Sequence, residues 1–177
     1  MKRLLLLRHA KAAAGSAKVG DHDRPLNERG RTDAPRMASA MQHNNYIPDR
    51  VLCSTAARTI ETWAHVAPEL DVEPEISYID ALYLAPWKTI AQAIRAVSRD
   101  PNTVLVIGHN PGLEELAKAL ARKPHSDSER RRLESLTEKY PTAALAVLDF
   151  DIESWSALAP ASGALVDYIR PKSLTDE

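Results

Sequence analysis

Four consecutive leucines at positions 4–7 constrain the fold of this 177-residue chain more than any other feature of its sequence. An unbroken apolar run of this length is typical of a strand buried on both faces, as in a parallel sheet. The run ends at Arg8 and His9, a cation beside a nucleophile that can change its protonation state. Ligands of open α/β sheets bind just beyond the carboxyl ends of the strands. We therefore expect Arg8 and His9 to form the core of a phosphate-handling active site.

Length and composition are those of an ordinary globular protein. Residues 1–177 are expected to form a single domain with its own core. The formal net charge of -1 gives no reason to expect nucleic acid or an anionic membrane as a partner. The single cysteine, Cys53, excludes a disulfide framework and a clustered thiolate metal site. Because Arg8 ends the leucine run too early for a secretory signal, and no apolar stretch is long enough to cross a membrane, we expect a cytoplasmic protein.

Alternating strand and helix patterns predict the fold class. Apolar runs predict further strands at residues 49–54, 76–79 and 103–107, with helices between them. This alternation is typical of a three-layer α/β sandwich, in which a mostly parallel central sheet carries helices on both faces. Two late strands, at residues 143–150 and 165–169, are expected to form an antiparallel hairpin at a sheet edge. The polar segment 126–140 is expected to be an exposed helix.

Proline and asparagine residues indicate where several helices begin. Asn27 is expected to cap a short turn, and a separate helix is expected to start near Pro35, because proline is tolerated in the first turn. Asn110 is expected to cap another helix, with Pro111 as its first residue. The helix after the second strand is expected over residues 56–66.

Three strand-to-helix junctions carry charged or titratable residues that core packing does not require. Arg8 and His9 follow the first strand, whereas Arg58 follows the second and His109 follows the fourth. Because the carboxyl ends of parallel strands open on one edge of the sheet, we expect these side chains to converge. Arginine binds phosphate oxygens bidentately, and the helix after His109 offers N–H groups that favour an anion. A lone histidine after a strand is more often structural than catalytic, and a lone arginine at a helix start is usually a solvated surface residue. The joint placement is therefore what indicates an anion site.

These residues lie in motifs that resemble the histidine phosphatase superfamily. The matching segments are LLLRHAK at 5–11, DRPLNERG at 23–30, STAART at 54–59 and VIGHNP at 106–111. The chain length and the RHAK opening are similar to the small bacterial phosphohistidine phosphatase branch, which is SixA-like. The resemblance runs over most of the chain, with the motifs in the expected order. Ala10 departs from the glycine found in much of the superfamily, which restricts the backbone slightly.

The resemblance implies a role for each junction residue. His9 would be the nucleophile and would carry the phosphoryl group as a covalent phosphohistidine intermediate. Arg8, Arg58 and His109 would bind the phosphoryl oxygens and stabilise the transition state. His9 must be neutral to attack, and we expect the flanking cations to favour that form. No metal or other cofactor is needed in this scheme, and we interpret the Asp-His-Asp segment at 21–23 as a polar loop.

The general acid is the site residue for which the sequence offers alternatives. Superfamily members that act on phosphate esters protonate the departing alkoxide with a carboxyl group. Asp80, after the third strand, is the candidate here, with Glu75 behind it; an aspartate that merely caps the next turn is the alternative. Phosphohistidine needs less proton assistance, because imidazole has a pKa of about 6.5, against about 16 for water as a stand-in for an alcohol.

Residues and resemblance together predict a metal-independent phosphatase that dephosphorylates phosphohistidine on a signalling or phosphotransfer protein. The short loops at residues 12–24 and 82–87 favour a shallow site, which suits a phosphorylated protein. Two alternatives stay open. One is a phosphomonoesterase or mutase acting on a small phosphorylated metabolite, and the other is a catalytically silent phosphate-binding module.

Overall fold

A six-stranded mixed sheet lies at the centre of the protein, and the computed structural model describes residues 1–174. The strands are β1 Lys2–Arg8, β2 Arg50–Ser54, β3 Glu75–Ile79, β4 Thr103–Gly108, β5 Leu145–Phe150 and β6 Gly163–Ile169. Their order across the sheet is β3-β2-β4-β1-β5-β6. The first four strands pair in parallel, whereas β5 is antiparallel to both β1 and β6. The predicted fold class is confirmed, including the antiparallel hairpin at one edge.

Among the residues that the structure describes, five α-helices cover the two faces of this sheet. They are α1 Glu28–His43, α2 Ala57–Leu70, α3 Trp87–Arg95, α4 Gly112–Leu120 and α5 Asp127–Glu138. Buried residues of α1 and α2 share one core, and those of α3, α4 and α5 share the other. Within residues 1–174, no helix combines the length and apolar composition needed to cross a membrane.

The four leucines of β1 divide between these two cores. Leu4 and Leu6 pack on the face covered by α3, α4 and α5, whereas Leu5 and Leu7 face α1 and α2. All four side chains are fully buried, because successive residues of a strand point to opposite faces and both faces are covered. The prediction of a buried central strand is therefore confirmed. Because β1 is buried on both faces, it holds Arg8 at its end and His9 just after it in fixed positions.

The prediction of a separate helix beginning near Pro35 is wrong. α1 is continuous from Glu28 to His43 and contains Pro35, while the Asn27 side chain accepts a hydrogen bond from the N–H of Gly30. Proline inside a helix removes one backbone hydrogen bond and costs roughly 3 kcal/mol. Tertiary packing offsets this cost, because Met37 and Met41 on the next turns are fully buried.

Two other helix boundaries also differ from prediction. α2 extends past residue 66 to Leu70, because Leu70 continues the buried apolar stripe of Val66. α4 begins at Gly112 rather than at Pro111, and the Asn110–Pro111 peptide bond is cis. The Asn110 side chain still accepts a hydrogen bond from the N–H of Glu114 at 3.3 Å. The expected side chain thus contacts the helix start, but the helix itself begins one residue later.

Candidate active site

The three predicted junctions meet at one edge of the sheet. β2, β4 and β1 are parallel neighbours, and Arg8 lies opposite Gly108 in the strand register. The ring centroids of His9 and His109 are 5.2 Å apart, and Arg58 Nη2 lies 3.3 Å from His109 Nδ1. All three of these side chains are buried. Residues from distant parts of the sequence therefore form one compact cationic and aromatic cluster.

Backbone hydrogen bonds fix the position of His9. Its N–H donates to the carbonyl of Gly108 at 3.1 Å, and its own carbonyl accepts from the N–H of Ala143 at 3.0 Å. The Nδ1 atom of the ring lies 2.8 Å from the carbonyl oxygen of Ala10. A carbonyl oxygen can only accept, so Nδ1 carries the proton and Nε2 keeps its lone pair. No residue in the described part of the chain hydrogen-bonds to Nε2, so this nitrogen is available to a ligand.

The environment keeps the His9 ring neutral. The pKa of His9 is lowered from 6.5 to about 3, chiefly by burial, with smaller contributions in the same direction from His109, Arg58 and Arg8. The hydrogen bond to Ala10 acts in the opposite direction and is outweighed. The sequence led us to expect flanking cations as the cause of neutrality, but burial has the larger effect. Either way, His9 is in the form that has a lone pair near neutral pH.

His109 is held by a hydrogen bond at each ring nitrogen. Nε2 lies 2.8 Å from Ser54 Oγ, and Nδ1 faces the Arg58 guanidinium, which can only donate. In this neutral tautomer Nδ1 accepts from Arg58 and Nε2 donates to the hydroxyl of Ser54. Burial, followed by the charge of Arg58, lowers the pKa of His109 to about 4. Sequence reasoning gave Ser54 no role in the site, so its contact with His109 was missed.

Arg8 is anchored from the end of the polar segment 126–140, to which the sequence assigned no role in the site. Arg8 Nη1 donates to the carbonyl of Tyr140 at 2.9 Å, and Asn110 Nδ2 donates to the same oxygen at 3.0 Å. The Tyr140 hydroxyl donates to the carbonyl of Leu6 in β1 at 2.6 Å. Arg8 Nε is buried and has no hydrogen-bond partner within residues 1–174. A buried donor without a partner points to a ligand that supplies the acceptor.

Arg58 pairs with a carboxylate that sequence reasoning did not place in the site. Arg58 Nη1 donates to the backbone oxygen of Asp21 at 2.7 Å, and Nη2 lies 3.1 Å from Asp21 Oδ2. The Tyr83 hydroxyl also donates to Asp21 Oδ2, and the Tyr83 ring stands edge-on to His109 with centroids 5.4 Å apart. Arg58 itself was the sequence feature that could have indicated such a carboxylate, because a buried arginine needs a negatively charged partner.

A close helix contact supports the segment after His9. The carbonyl of Lys11 accepts a hydrogen bond from the N–H of Asn27 at 3.0 Å, just before α1 begins. A Cβ atom on Gly30 would lie 2.2 Å from that same carbonyl oxygen. Only glycine lets the first turn of α1 approach the backbone so closely. The glycine of the DRPLNERG segment therefore helps to position the chain that carries His9.

Asp80 lies outside this network of contacts. Its side chain is exposed, and its backbone carbonyl accepts from the N–H of Tyr83 at 3.0 Å in a short helical turn. Across residues 1–174, no hydrogen bond or ion pair joins its carboxylate to His9 or to the other site residues. The same part of the chain contains no group of three or more His, Cys, Asp or Glu side chains that could hold a metal ion. The role of Asp80 as general acid stays a prediction.

Comparison with known proteins identifies the family. The model of the histidine phosphatase superfamily (branch 1) matches residues 4–82. The structure of a candidate phosphohistidine phosphatase SixA from Agrobacterium tumefaciens is 33% identical, with a TM-score of 0.79 over 96% of this chain and 98% of that one. This chain belongs to the histidine phosphatase superfamily.

A second solved structure supports a SixA-like assignment within the histidine phosphatases, and an uncharacterized protein matches nearly the whole chain. A candidate SixA from Nakamurella multipartitia is 31% identical, with a TM-score of 0.82 over 96% of both chains. The uncharacterized protein Rv1276c of Mycobacterium tuberculosis is 35% identical over 166 residues, which is 94% of this chain and 100% of that protein. Membership of the histidine phosphatase superfamily, together with the SixA-like neighbours, supports phosphatase activity.

Proposed function

We propose that this protein is a phosphohistidine phosphatase in which Nε2 of His9 accepts the phosphoryl group and then passes it to water. The observation that carries this proposal is the state of the His9 ring. Nδ1 is committed to the carbonyl of Ala10, burial keeps the ring neutral, and Nε2 has no protein partner in the described chain. A neutral imidazole with one lone pair directed away from its anchor is a competent nucleophile.

The first step forms a bond between Nε2 and phosphorus while the bond from phosphorus to the leaving nitrogen breaks. The substrate ring leaves as neutral imidazole once its second nitrogen has taken a proton from solvent. Positive charge then appears on the His9 ring, where the Nδ1–H bond to the Ala10 carbonyl at 2.8 Å stabilises it. In the second step water attacks phosphorus, Nε2 regains its lone pair, and the proton of the water leaves with inorganic phosphate.

The surrounding cations would hold the phosphoryl oxygens through both steps. Arg8 Nε is a buried donor without a partner in residues 1–174, and a phosphoryl oxygen would supply its acceptor. His109 can serve as a donor through Ser54, because a hydroxyl either accepts from Nε2 or donates to it. If Arg58 turned Nη2 from Nδ1 of His109 toward the phosphoryl group and the Ser54 hydroxyl donated to Nε2, the proton of His109 would lie on Nδ1. That N–H would then be free to donate to a phosphoryl oxygen.

The carboxylates near the site support phosphohistidine over phosphate esters. Hydrogen bonds from Tyr83, Arg24 and Arg58 hold the pKa of Asp21 well below its ordinary range, so Asp21 is ionised at neutral pH and is not a proton donor. Asp80 is exposed and lies outside the contact network. A leaving imidazole needs little proton assistance, whereas an alkoxide needs a great deal. We therefore propose a phosphorylated signalling or phosphotransfer protein as substrate, turned over in the cytoplasm without a metal ion.

Substrate preference tests this proposal. The rate with a phosphohistidine-bearing protein is compared with the rate for a simple alkyl phosphate ester, using wild type, Asp80→Asn and His9→Asn. We expect the phosphohistidine protein to be preferred, Asp80→Asn to keep most of that activity, and His9→Asn to lose it. A preference for the ester that disappears in Asp80→Asn would instead make the enzyme a phosphomonoesterase. Binding of phosphate without any turnover would indicate a silent phosphate-binding module.

A further inference from the structure

The carboxylate of Asp21 occupies the outer side of the Arg58 guanidinium. Both terminal nitrogens of Arg58 donate to Asp21, one to its backbone oxygen at 2.7 Å and the other to Oδ2 at 3.1 Å. The Asp21 side chain is 47% exposed, whereas that of Arg58 is 4% exposed. The pair thus lies at the boundary between the buried cluster and solvent, with the negative charge on the solvent side.

Asp21 keeps other partners that do not depend on Arg58. Arg24 Nη1 donates to Asp21 Oδ1 at 2.9 Å, and the Tyr83 hydroxyl donates to Oδ2. Arg24 Nε also donates to the carbonyl of Ala13 at 2.9 Å, which fixes the loop on which Asp21 lies. The carboxylate would therefore stay ionised and in place if Arg58 turned one of its N–H groups toward a ligand.

We propose that Asp21 offsets the charge of Arg58 and thereby weakens phosphate binding, so that the product is released. The inference rests on the proposed role of Arg58 as a phosphate ligand. Because the histidines are neutral, the positive charge of the cluster comes from Arg8 and Arg58, and Asp21 reduces the charge that the anion meets. Arg24 shares the same carboxylate and offsets part of this reduction. The carboxylate also repels the phosphate dianion directly, since both are negative and share one guanidinium.

The proposal predicts the direction in which phosphate affinity changes when the charge of Asp21 is removed. Asp21→Asn removes the charge but keeps one oxygen, which at the position of Oδ2 still accepts from Arg58 and Tyr83, whereas the bond from Arg24 to Oδ1 is lost. We expect inorganic phosphate to bind roughly three- to tenfold more tightly to this variant at low ionic strength. The gain should shrink as salt is added, because screening weakens interactions between partly exposed charges. If Asp21 served only to orient Arg58, the same substitution would leave phosphate affinity unchanged or lower it.

The experiment is a calorimetric titration of the ligand-free protein with inorganic phosphate, together with the inhibition constant of phosphate in the turnover assay. Asp23→Asn is the matched control, because Asp23 lies on the same short turn, its side chain is 79% exposed, and among the described residues its carboxylate pairs only with His22, at 3.5 Å. We expect Asp23→Asn to bind phosphate within twofold of wild type.

The Tyr83→Phe variant distinguishes an effect of the Asp21 charge from an effect of disorder in the loop that carries Asp21. It removes one hydrogen bond to Asp21 but keeps its charge, so we expect phosphate to bind no more tightly than to wild type. Equal tightening in Tyr83→Phe and Asp21→Asn would overturn the inference, as would unchanged or weaker binding in Asp21→Asn. A wild-type protein that neither binds phosphate nor shows turnover would instead overturn the proposed function.

Discussion

Because His9 and His109 are buried and neutral, we expect the free energy of unfolding to fall at acid pH by an amount that their pKa values determine. In the folded protein the pKa is about 3 for His9 and about 4 for His109, against an ordinary value of 6.5 for a histidine in an unfolded chain. Between these limits the unfolded chain binds protons that the folded protein does not. Stability is therefore retained above pH 6.5 and lost as the pH falls toward the folded-state values. From pH 7 to pH 5, each histidine is expected to lower the free energy of unfolding by about 2 kcal/mol.

Urea denaturation at pH 7 and pH 5, followed by tryptophan fluorescence, measures this loss. His9→Asn retains a donor near the Ala10 carbonyl, and His109→Gln retains one near Ser54, but neither variant can titrate. Each should reduce the loss between the two pH values by about 2 kcal/mol. His43→Gln serves as the control, since His43 is exposed in the last turn of α1. The reasoning would be refuted if the free energy of unfolding of His9→Asn and His109→Gln fell between pH 7 and pH 5 by as much as that of wild type.

Two further predictions concern contacts that support the site. Gly30→Ala should destabilise the protein by roughly 1–3 kcal/mol in the same assay, because the new methyl group would lie 2.2 Å from the Lys11 carbonyl oxygen. Gly20→Ala is its control, since nothing lies within 4 Å of a Cβ there, and an equal loss in both would contradict the argument. Tyr140→Phe should cost about 1 kcal/mol, because it removes the buried hydrogen bond to the Leu6 carbonyl. Tyr78→Phe, at an exposed edge position, should be neutral, and equal costs would count against the contact.

The sequence predicted the parts of the structure that local pattern determines. The leucine run specified a strand buried on both faces, and the alternation of strands and helices specified a mostly parallel sheet. Those two predictions together brought Arg8, His9, Arg58 and His109 to one edge, because parallel strands share the direction of their carboxyl ends. The hairpin of β5 and β6 was also predicted, although the sequence could not show that β5 pairs directly with β1.

What the sequence could not predict depends on contacts between distant residues. The local sequence around Pro35 predicts a helix start, but packing of the buried face of α1 keeps the helix continuous through this residue. Asp21, Ser54 and Tyr140 are ordinary polar or aromatic residues in the sequence, and their contacts with Arg58, His109 and Arg8 span 37, 55 and 132 positions. The cause of His9 neutrality was likewise assigned to charge, because the depth of burial follows from packing rather than from neighbours in the chain.

The central claim is that Nε2 of His9 becomes covalently phosphorylated. Incubation with a ³²P-labelled small phosphodonor, followed by rapid denaturation in alkali and mapping of the labelled peptide, tests this directly. We predict label that is stable in alkali, labile in acid and located on His9, with none in His9→Asn. Label that persists in His9→Asn, or turnover by wild type without any trapped label, would contradict the covalent mechanism.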